Sequence, residues 1–304
     1  DLNKDELRSI IDSAKKKKSE RGKKSASQPD NDQPLQGKNM IMIFEKTSTR
    51  TRISFDLAVK QLGGSSIILN QDEIHYGKGD ETIKDTAKVL SQYADIIMMR
   101  SNSHQTLENL AKYSGVPIIN GLSDLSHPCQ TLATLMTIIE LKGSLEGVNI
   151  SWFGPISNVA HSLIEAANND LGFTLTLHCP QYYQDIYSQK LSDMNKKICF
   201  DNISLNELDF KKVEATDVMY TDTWFSMGDI EDSTKIEMLT KYSIDQNMMS
   251  IAKKDSIFLH CLPANRSQEV SAQVIDGEQS YAVSYTHLRA HETSLHLVCR
   301  LLLE

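Results

Sequence analysis

The densest set of anion-holding groups in the chain is Ser48-Thr49-Arg50-Thr51-Arg52. It combines three hydroxyls with guanidinium forks that match phosphate or carboxylate oxygens. Upstream, Asn39 to Phe44 is an apolar run with the length of a buried strand. Downstream, Phe55, Ala58, Val59 and Leu62 recur at i, i+3, i+4 and i+7, one face of a helix. Gly63-Gly64 closes that helix. The polar residues therefore sit where a strand hands over to a helix N-terminus, where free N–H groups and the positive end of the dipole converge. That is an oxyanion cradle, foremost for phosphate. The competing reading is a plain Ser/Thr cap with solvated arginines. Arginines oppose the dipole at this end, and a bound anion accounts for them. No Gly-Lys-Ser/Thr ends the stretch, so it is not a Walker loop.

The other chemistry-bearing residues also follow strands. Arg100 closes the strand of Ala94 to Met99. His127-Pro128-Cys129-Gln130 opens a helix, with Pro128 suited to its first turn. Asn158 follows the turn after Phe153, Asp222 to Gly228 follows Met219, and His260-Cys261-Leu262-Pro263 follows Phe258. Each has an ordinary structural reading: Cys261 as a small buried hydrophobe, Asp222 or Asn158 as a cap, Trp224 and Met227 as core. Jointly, in one order at strand ends, they read as a site, because open α/β sheets bind ligands beyond the carboxyl ends of their strands.

The elements that must position these residues alternate. From the central strand onward, strand and helix signals follow one another to a long helix from His127-Pro128 through Leu141. A junction at Gly143 to Gly147 comes next, and then the pattern restarts. Two α/β alternations predict two domains, each with a central parallel β-sheet flanked by helices. The expected boundaries are 1–142 and 147–280, followed by an atypical tail, 281–304. Residues 25–37, polar with Pro29 and Pro34, read as an exposed loop. A short strand is expected at 198–200 and a mobile loop at 77–80.

With 304 residues and a net charge of −8, the chain can bury a large core and is no general nucleic-acid binder. The basic run Lys15 to Lys18 reads as a solvated helix end. No apolar run is long enough to span a bilayer. The five cysteines show no metal or disulfide spacing, so reduced thiols in a cytoplasmic compartment are expected, with no metal and no cofactor. The sequence opens at Asp1 within what reads as a helix, so a preceding segment is expected.

Phe44-Glu45-Lys46-Thr47 with Ser48 to Arg52, then His127 to Gln130, Asp222 to Gly228 and His260 to Pro263, together resemble the signature set of the aspartate/ornithine carbamoyltransferase family. The Ser226-Met227-Gly228 loop resembles its ornithine branch. The resemblance implies that Ser48, Thr49, Arg50, Thr51 and Arg100 bind carbamoyl phosphate, with His127 and Gln130 at the carbamoyl end. It implies that Asn158, Asp222, Ser226 and Met227 hold the amino-acid end of L-ornithine, with Cys261 and Leu262 beside the reacting amine. Arg50, Arg100, His127 and Cys261 are the catalytic candidates. In such a family a neighbouring subunit completes each site of a homotrimer, and His75 is the counterpart expected here.

The chemistry of these residue types fits an amine attacking a carbonyl carbon with phosphate leaving. Thr51, Arg50, Arg100 and His127 are donors for the negative charge of the tetrahedral intermediate. Asp222 suits an α-ammonium and Asn158 an α-carboxylate. The sequence departs from the family in the turn Gly154 to Asn158, where only Asn158 remains of the usual polar set, and in the tail from Val283. Arg289 stands near the place of the arginine that touches ligand in the family. Transfer to another amine such as putrescine, a chain that binds without turnover, and a nucleotide-binding dehydrogenase are the alternatives. The last lacks Gly-x-Gly-x-x-Gly in 151–158.

Overall fold

The computed structural model describes residues 2–46, 48–76, 81–194, 201–225 and 232–282. The expected loop at 77–80, the expected strand at 198–200, Ser226, Met227 and the tail from Val283 with Arg289 lie outside the described residues. The chain forms two compact units that divide at Met136/Thr137.

The first unit holds a parallel sheet of β1 (Asn39–Phe44), β2 (Ser65–Asn70), β3 (Ile96–Arg100) and β4 (Ile118–Leu122). Its strand order is β2-β1-β3-β4. The helices are α1 (Lys4–Arg21), α2 (Thr49–Gln61), α3 (Ile83–Leu90), α4 (His104–Tyr113) and the start of α5 (Pro128–Lys142). Strand β1 is apolar at almost every position because both faces are covered. Met40, Met42 and Phe44 pack with Phe55, Ala58, Val59 and Leu62. Ile41 and Ile43 point the other way, into a cluster with Ala87, Leu107 and Leu110.

The stretch 25–37 is a loop, exposed over most of its length as expected, but it carries two buried anchors. Leu35 and Asp30 are buried. Arg21 Nη1 meets Asp30 Oδ1 at 2.5 Å inside this layer. The Asp30 and Leu35 N–H groups donate to the Gln61 and Leu62 carbonyls at 2.7 and 2.8 Å, capping the end of α2. Polar composition hid two anchors: one ion pair and one leucine. The basic end of α1 is solvated as expected, with Lys16 and Lys17 facing Glu20 and Lys17 also meeting Asp32.

The second unit holds β5 (Asn149–Phe153), β6 (Thr174–His178), β7 (Ile203–Asn206), β8 (Val218–Thr221) and β9 (Ile257–His260). All pairs are parallel, in the order β7-β6-β5-β8-β9. Its helices are α6 (Asn158–Asn168), α7 (Gln181–Asp193), α8 (Phe210–Glu214), α9 (Ser233–Leu239), α10 (Gln246–Ile251) and α11 (Ala272–Ile275). Strand β7 was not expected; four residues on a sheet edge with only Ile203 buried give little apolar signal. Trp152 packs edge-on against Tyr220, ring centres 5.1 Å apart. The outer edge of β9 is covered, since Tyr281 N–H donates to the Phe258 carbonyl and Phe258 N–H to that of Gln279. Among the described residues no helix is long and apolar enough to cross a membrane.

In both units the chain steps to one side of the first strand and later returns on the other. The crevices so created lie between β1 and β3 in the first sheet and between β5 and β8 in the second. Ser48 to Thr51 and Arg100 flank the first of these points, and Asn158 and Asp222 flank the second.

Candidate active site

In the first unit, Ser48 is the N-cap of α2 with extended backbone, and its side chain makes no capping hydrogen bond. Asn3, Thr82, Ser103 and Ser157 all fold back onto their own helices. The first turn of α2 carries no acid. Thr49 is exposed, Arg50 half-buried and Thr51 fully buried. The helix therefore begins with no acid in its first turn and with a hydroxyl left at its mouth, an arrangement that favours an anion.

Arg100 pairs in register with Phe44 at the end of β3. It is buried, and its Nη1 donates to Thr51 Oγ1 at 3.2 Å. The Ser101 N–H donates to the Leu122 carbonyl at 2.9 Å, which ties the β3 end to the β4 end. From there Ser123 to Ser126 closes a tight turn, with Ser123 N–H donating to the Ser126 carbonyl at 2.9 Å. That turn delivers His127 and Gln130, both buried, to the start of α5. His104 Nδ1 lies 2.8 Å from Ser123 Oγ and braces the same turn. The structure thus brings Ser48 to Thr51 and Arg100 together and sets His127 and Gln130 on the carboxyl end of the same sheet. His75 is different: it is exposed, beyond the edge strand β2, and makes no hydrogen bond to these residues.

In the second unit, Asn158 is the first residue of α6 and Asp222 follows β8, on opposite sides of the crevice. Ser157 comes close enough to Asp222 to favour its carboxylate form, so the two loops meet. Thr223 N–H donates to Asp222 Oδ1 at 2.9 Å. Burial pushes the Asp222 carboxyl up to about 6, against the pull of His260 and the Thr223 N–H. Thr221 Oγ1 donates to the Phe153 carbonyl at 2.7 Å, a second strut across the crevice.

His260 Nε2 lies 3.3 Å from Glu269 Oε1, and both side chains are fully buried. Asn265 links this pair back to the Asp222 loop: its N–H donates to Glu269 Oε1 and its Nδ2 to Thr223 Oγ1 at 3.0 Å. Cys261 is half-buried with Sγ 3.0 Å from the Tyr220 hydroxyl. Leu262 packs partly into the cluster around Phe153 and Phe258. Trp224 and Phe225 are core. Trp224 also explains Gly154, whose φ of +111° excludes a side chain and whose Cβ would stand 3.2 Å from Trp224 Nε1. Among the described residues no cluster of His, Cys, Asp or Glu is placed to hold a metal ion.

Reading the sequence missed the supporting residues: Glu45, Ser101, Ser157, Thr223, Asn265 and Glu269. Glu45, Ser157 and Thr223 sit inside or beside the motifs, so proximity was a signal. Glu269 lies nine positions from its partner His260, with nothing in the spacing to announce it.

Residues 1–140 match the model of the aspartate/ornithine carbamoyltransferase carbamoyl-P binding domain, and residues 146–293 match that of the Asp/Orn binding domain. An ornithine carbamoyltransferase of Rhizorhabdus wittichii is 42% identical over 285 residues, covering 94% of this chain and 91% of the relative. That of Methanococcus vannielii is 44% identical over 263 residues, covering 84% and 85%. Among solved structures, ornithine carbamoyltransferase from Pyrococcus furiosus superposes with a TM-score of 0.84 at 38% identity, covering 99% of this chain and 94% of that one. The enzyme from Burkholderia thailandensis gives 0.85 at 31% identity, covering 99% and 96%. Two ordered domain matches and full-length relatives place this chain in the aspartate/ornithine carbamoyltransferase family.

Proposed function

We propose that the chain transfers the carbamoyl group of carbamoyl phosphate to the side-chain amine of L-ornithine, giving citrulline and phosphate. The observation that carries this reading is the α2 N-terminus, where the N-cap Ser48 makes no side-chain capping bond and the first turn holds Arg50 and a Thr51 joined to Arg100. The leaving phosphate lies on that turn, and the backbone N–H groups with Arg50 neutralise it. Arg100, Thr51 and His127 donate to the carbonyl oxygen as it gains charge, and Gln130 orients the carbamoyl amide. Charge that develops only during attack is what such preorganised donors stabilise.

In the second unit, Asp222 takes the α-ammonium of ornithine and Asn158 the α-carboxylate. The amine must arrive neutral. An alkyl ammonium with a pKa of roughly 10.4 loses its proton at a cost of about 4–5 kcal/mol at pH 7. Cys261, the Leu262 carbonyl and the bound phosphate are the candidate acceptors. Ser226 and Met227 complete the amino-acid end in this reading, and Arg289 is assigned no role. His75 serves a neighbouring subunit of a homotrimer, in a cytoplasmic compartment where arginine is made or broken down.

Turnover with ornithine, putrescine and aspartate tests the acceptor. Ornithine is preferred if Asp222 and Asn158 read an amino-acid end; a preference for either other amine overturns that part. Sedimentation of the chain tests the trimer, and a monomer at working concentration contradicts it.

A further inference from the structure

At the crevice of the first sheet, β1 and β3 run side by side to Phe44 and Arg100 and then part. The last ladder bond between them is Glu45 N–H to the Arg100 carbonyl, at 3.0 Å. Beyond it no backbone bond joins them among the described residues, yet the residues that follow one strand form the anion cradle and the last residue of the other is Arg100. The Glu45 side chain spans this gap. Its Oε2 accepts the Ser101 hydroxyl at 2.8 Å and the Asn102 N–H at 2.6 Å. Its Oε1 accepts the Tyr76 hydroxyl. Burial and the neighbouring Glu45 carboxylate raise the Tyr76 phenol well above its ordinary range, so it stays a donor. Tyr76 in turn bridges to Glu81, just before α3.

Among the described residues Glu45 has no cationic partner; three neutral donors from two other segments hold it. A carboxylate three residues before a phosphate cradle repels the ligand if charge alone is considered. Its hydrogen bonds therefore point to a geometric duty. We infer that Glu45 is a positioning residue: it fixes the distance between the turn at Ser48–Thr51 and the guanidinium of Arg100, and through Tyr76 anchors the segment that carries His75. The inference rests on carbamoyl phosphate being the ligand of that turn.

The test compares carbamoyl phosphate binding by calorimetry in the unaltered chain, Glu45→Ala and Glu45→Gln. Both variants remove the charge. Only Gln keeps an acceptor for Ser101 and Asn102, while its amide can donate to the Tyr76 oxygen. Misplacing a binding group by about 1 Å weakens a site by on the order of tenfold or more. Positioning therefore predicts at least roughly a tenfold loss for Glu45→Ala, recovery to within about threefold for Glu45→Gln, and an ornithine KM at saturating carbamoyl phosphate that stays within about twofold. Glu45→Ala binding as tightly as the unaltered chain, or Glu45→Gln as weak as Ala, overturns the inference. Should Glu45→Ala not fold, Tyr76→Phe and Ser101→Ala each remove one donor and each must weaken the same ligand; two unchanged affinities overturn it equally. An unaltered chain that fails to bind carbamoyl phosphate defeats the reading of the site itself, a different outcome from a Glu45 variant that binds normally.

Discussion

Arg100 donates from Nη1 to Thr51 Oγ1 across 3.2 Å, and this bond joins the end of β3 to the first turn of α2. A guanidinium and a helix N-terminus, each attractive to an anion, are thereby held to one geometry. Arg50, one residue before Thr51, adds a second fork. Replacing Arg50 by Ala removes charge-assisted bonds to phosphate without touching the amino-acid end. Carbamoyl phosphate affinity is expected to fall roughly 10- to 100-fold, that is by about 1.4–2.7 kcal/mol. Ornithine KM at saturating donor is expected to change by less than about threefold. Calorimetry and initial rates check this; equal losses for both ligands contradict the assignment.

Asp222 supplies a pH dependence. Burial holds its carboxyl up to about 6. An α-ammonium needs the carboxylate, so ornithine KM is expected to fall as pH rises through about 6 and to level off above it. Asp222→Asn removes that step and weakens ornithine at every pH. A KM profile of the unaltered chain that is flat between pH 5 and 7 speaks against this role.

Acid stability follows from the same unit, with two opposing signs. His178 is buried, stacks on Phe153 with ring centres 4.8 Å apart, and is pushed down to about 4 by desolvation. Its folded value lies below the ordinary 6.5, so its contribution is full above 6.5 and is lost as pH falls through 4. Asp222 is raised, so its contribution is full below about 3.8 and is lost as pH rises through 6. Each amounts to roughly 3 kcal/mol over its window, at about 1.4 kcal/mol per pH unit. The two nearly cancel between pH 6.5 and 4. Asp222→Asn is therefore expected to steepen acid unfolding, and His178→Phe to flatten or reverse it. Urea melts at several pH values measure both, and parallel curves for the two variants refute the pairing.

The buried Arg21–Asp30 pair makes a stability prediction. Asp30→Ala leaves the guanidinium buried without its carboxylate and is expected to cost about 3–5 kcal/mol. Replacing both partners by apolar residues of similar size is expected to restore most of that. Denaturant unfolding of the single and double variants decides it; additive losses contradict a specific pair.

Much of this was legible in the sequence. The strand–turn–helix around Ser48 announced itself because β1 is buried on both faces while α2 carries apolar residues on one side, two periods that a linear pattern displays. Helix α6 was readable because it follows the turn Gly154 to Ser157, although its N-cap is Ser157 and not Asn158. The Glu45 and Glu269 contacts were not. The Glu45 contacts join β1 to residues after β3, adjacent only through a strand order set by crossovers that leave no local trace, and Glu269 meets His260 inside an irregular loop after β9 that has no periodic signal. Within the exposed loop 25–37, the two buried anchors, Asp30 and Leu35, were illegible for a related reason: they are fixed by partners on α1 and at the end of α2.

The most direct measurement is a crystal structure of this chain soaked with carbamoyl phosphate. The phosphate is expected at the start of α2, on the Ser48, Thr49, Arg50 and Thr51 donors, with Arg100 reaching the same ligand. Well-ordered carbamoyl phosphate bound elsewhere, with the start of α2 holding none, would contradict the account.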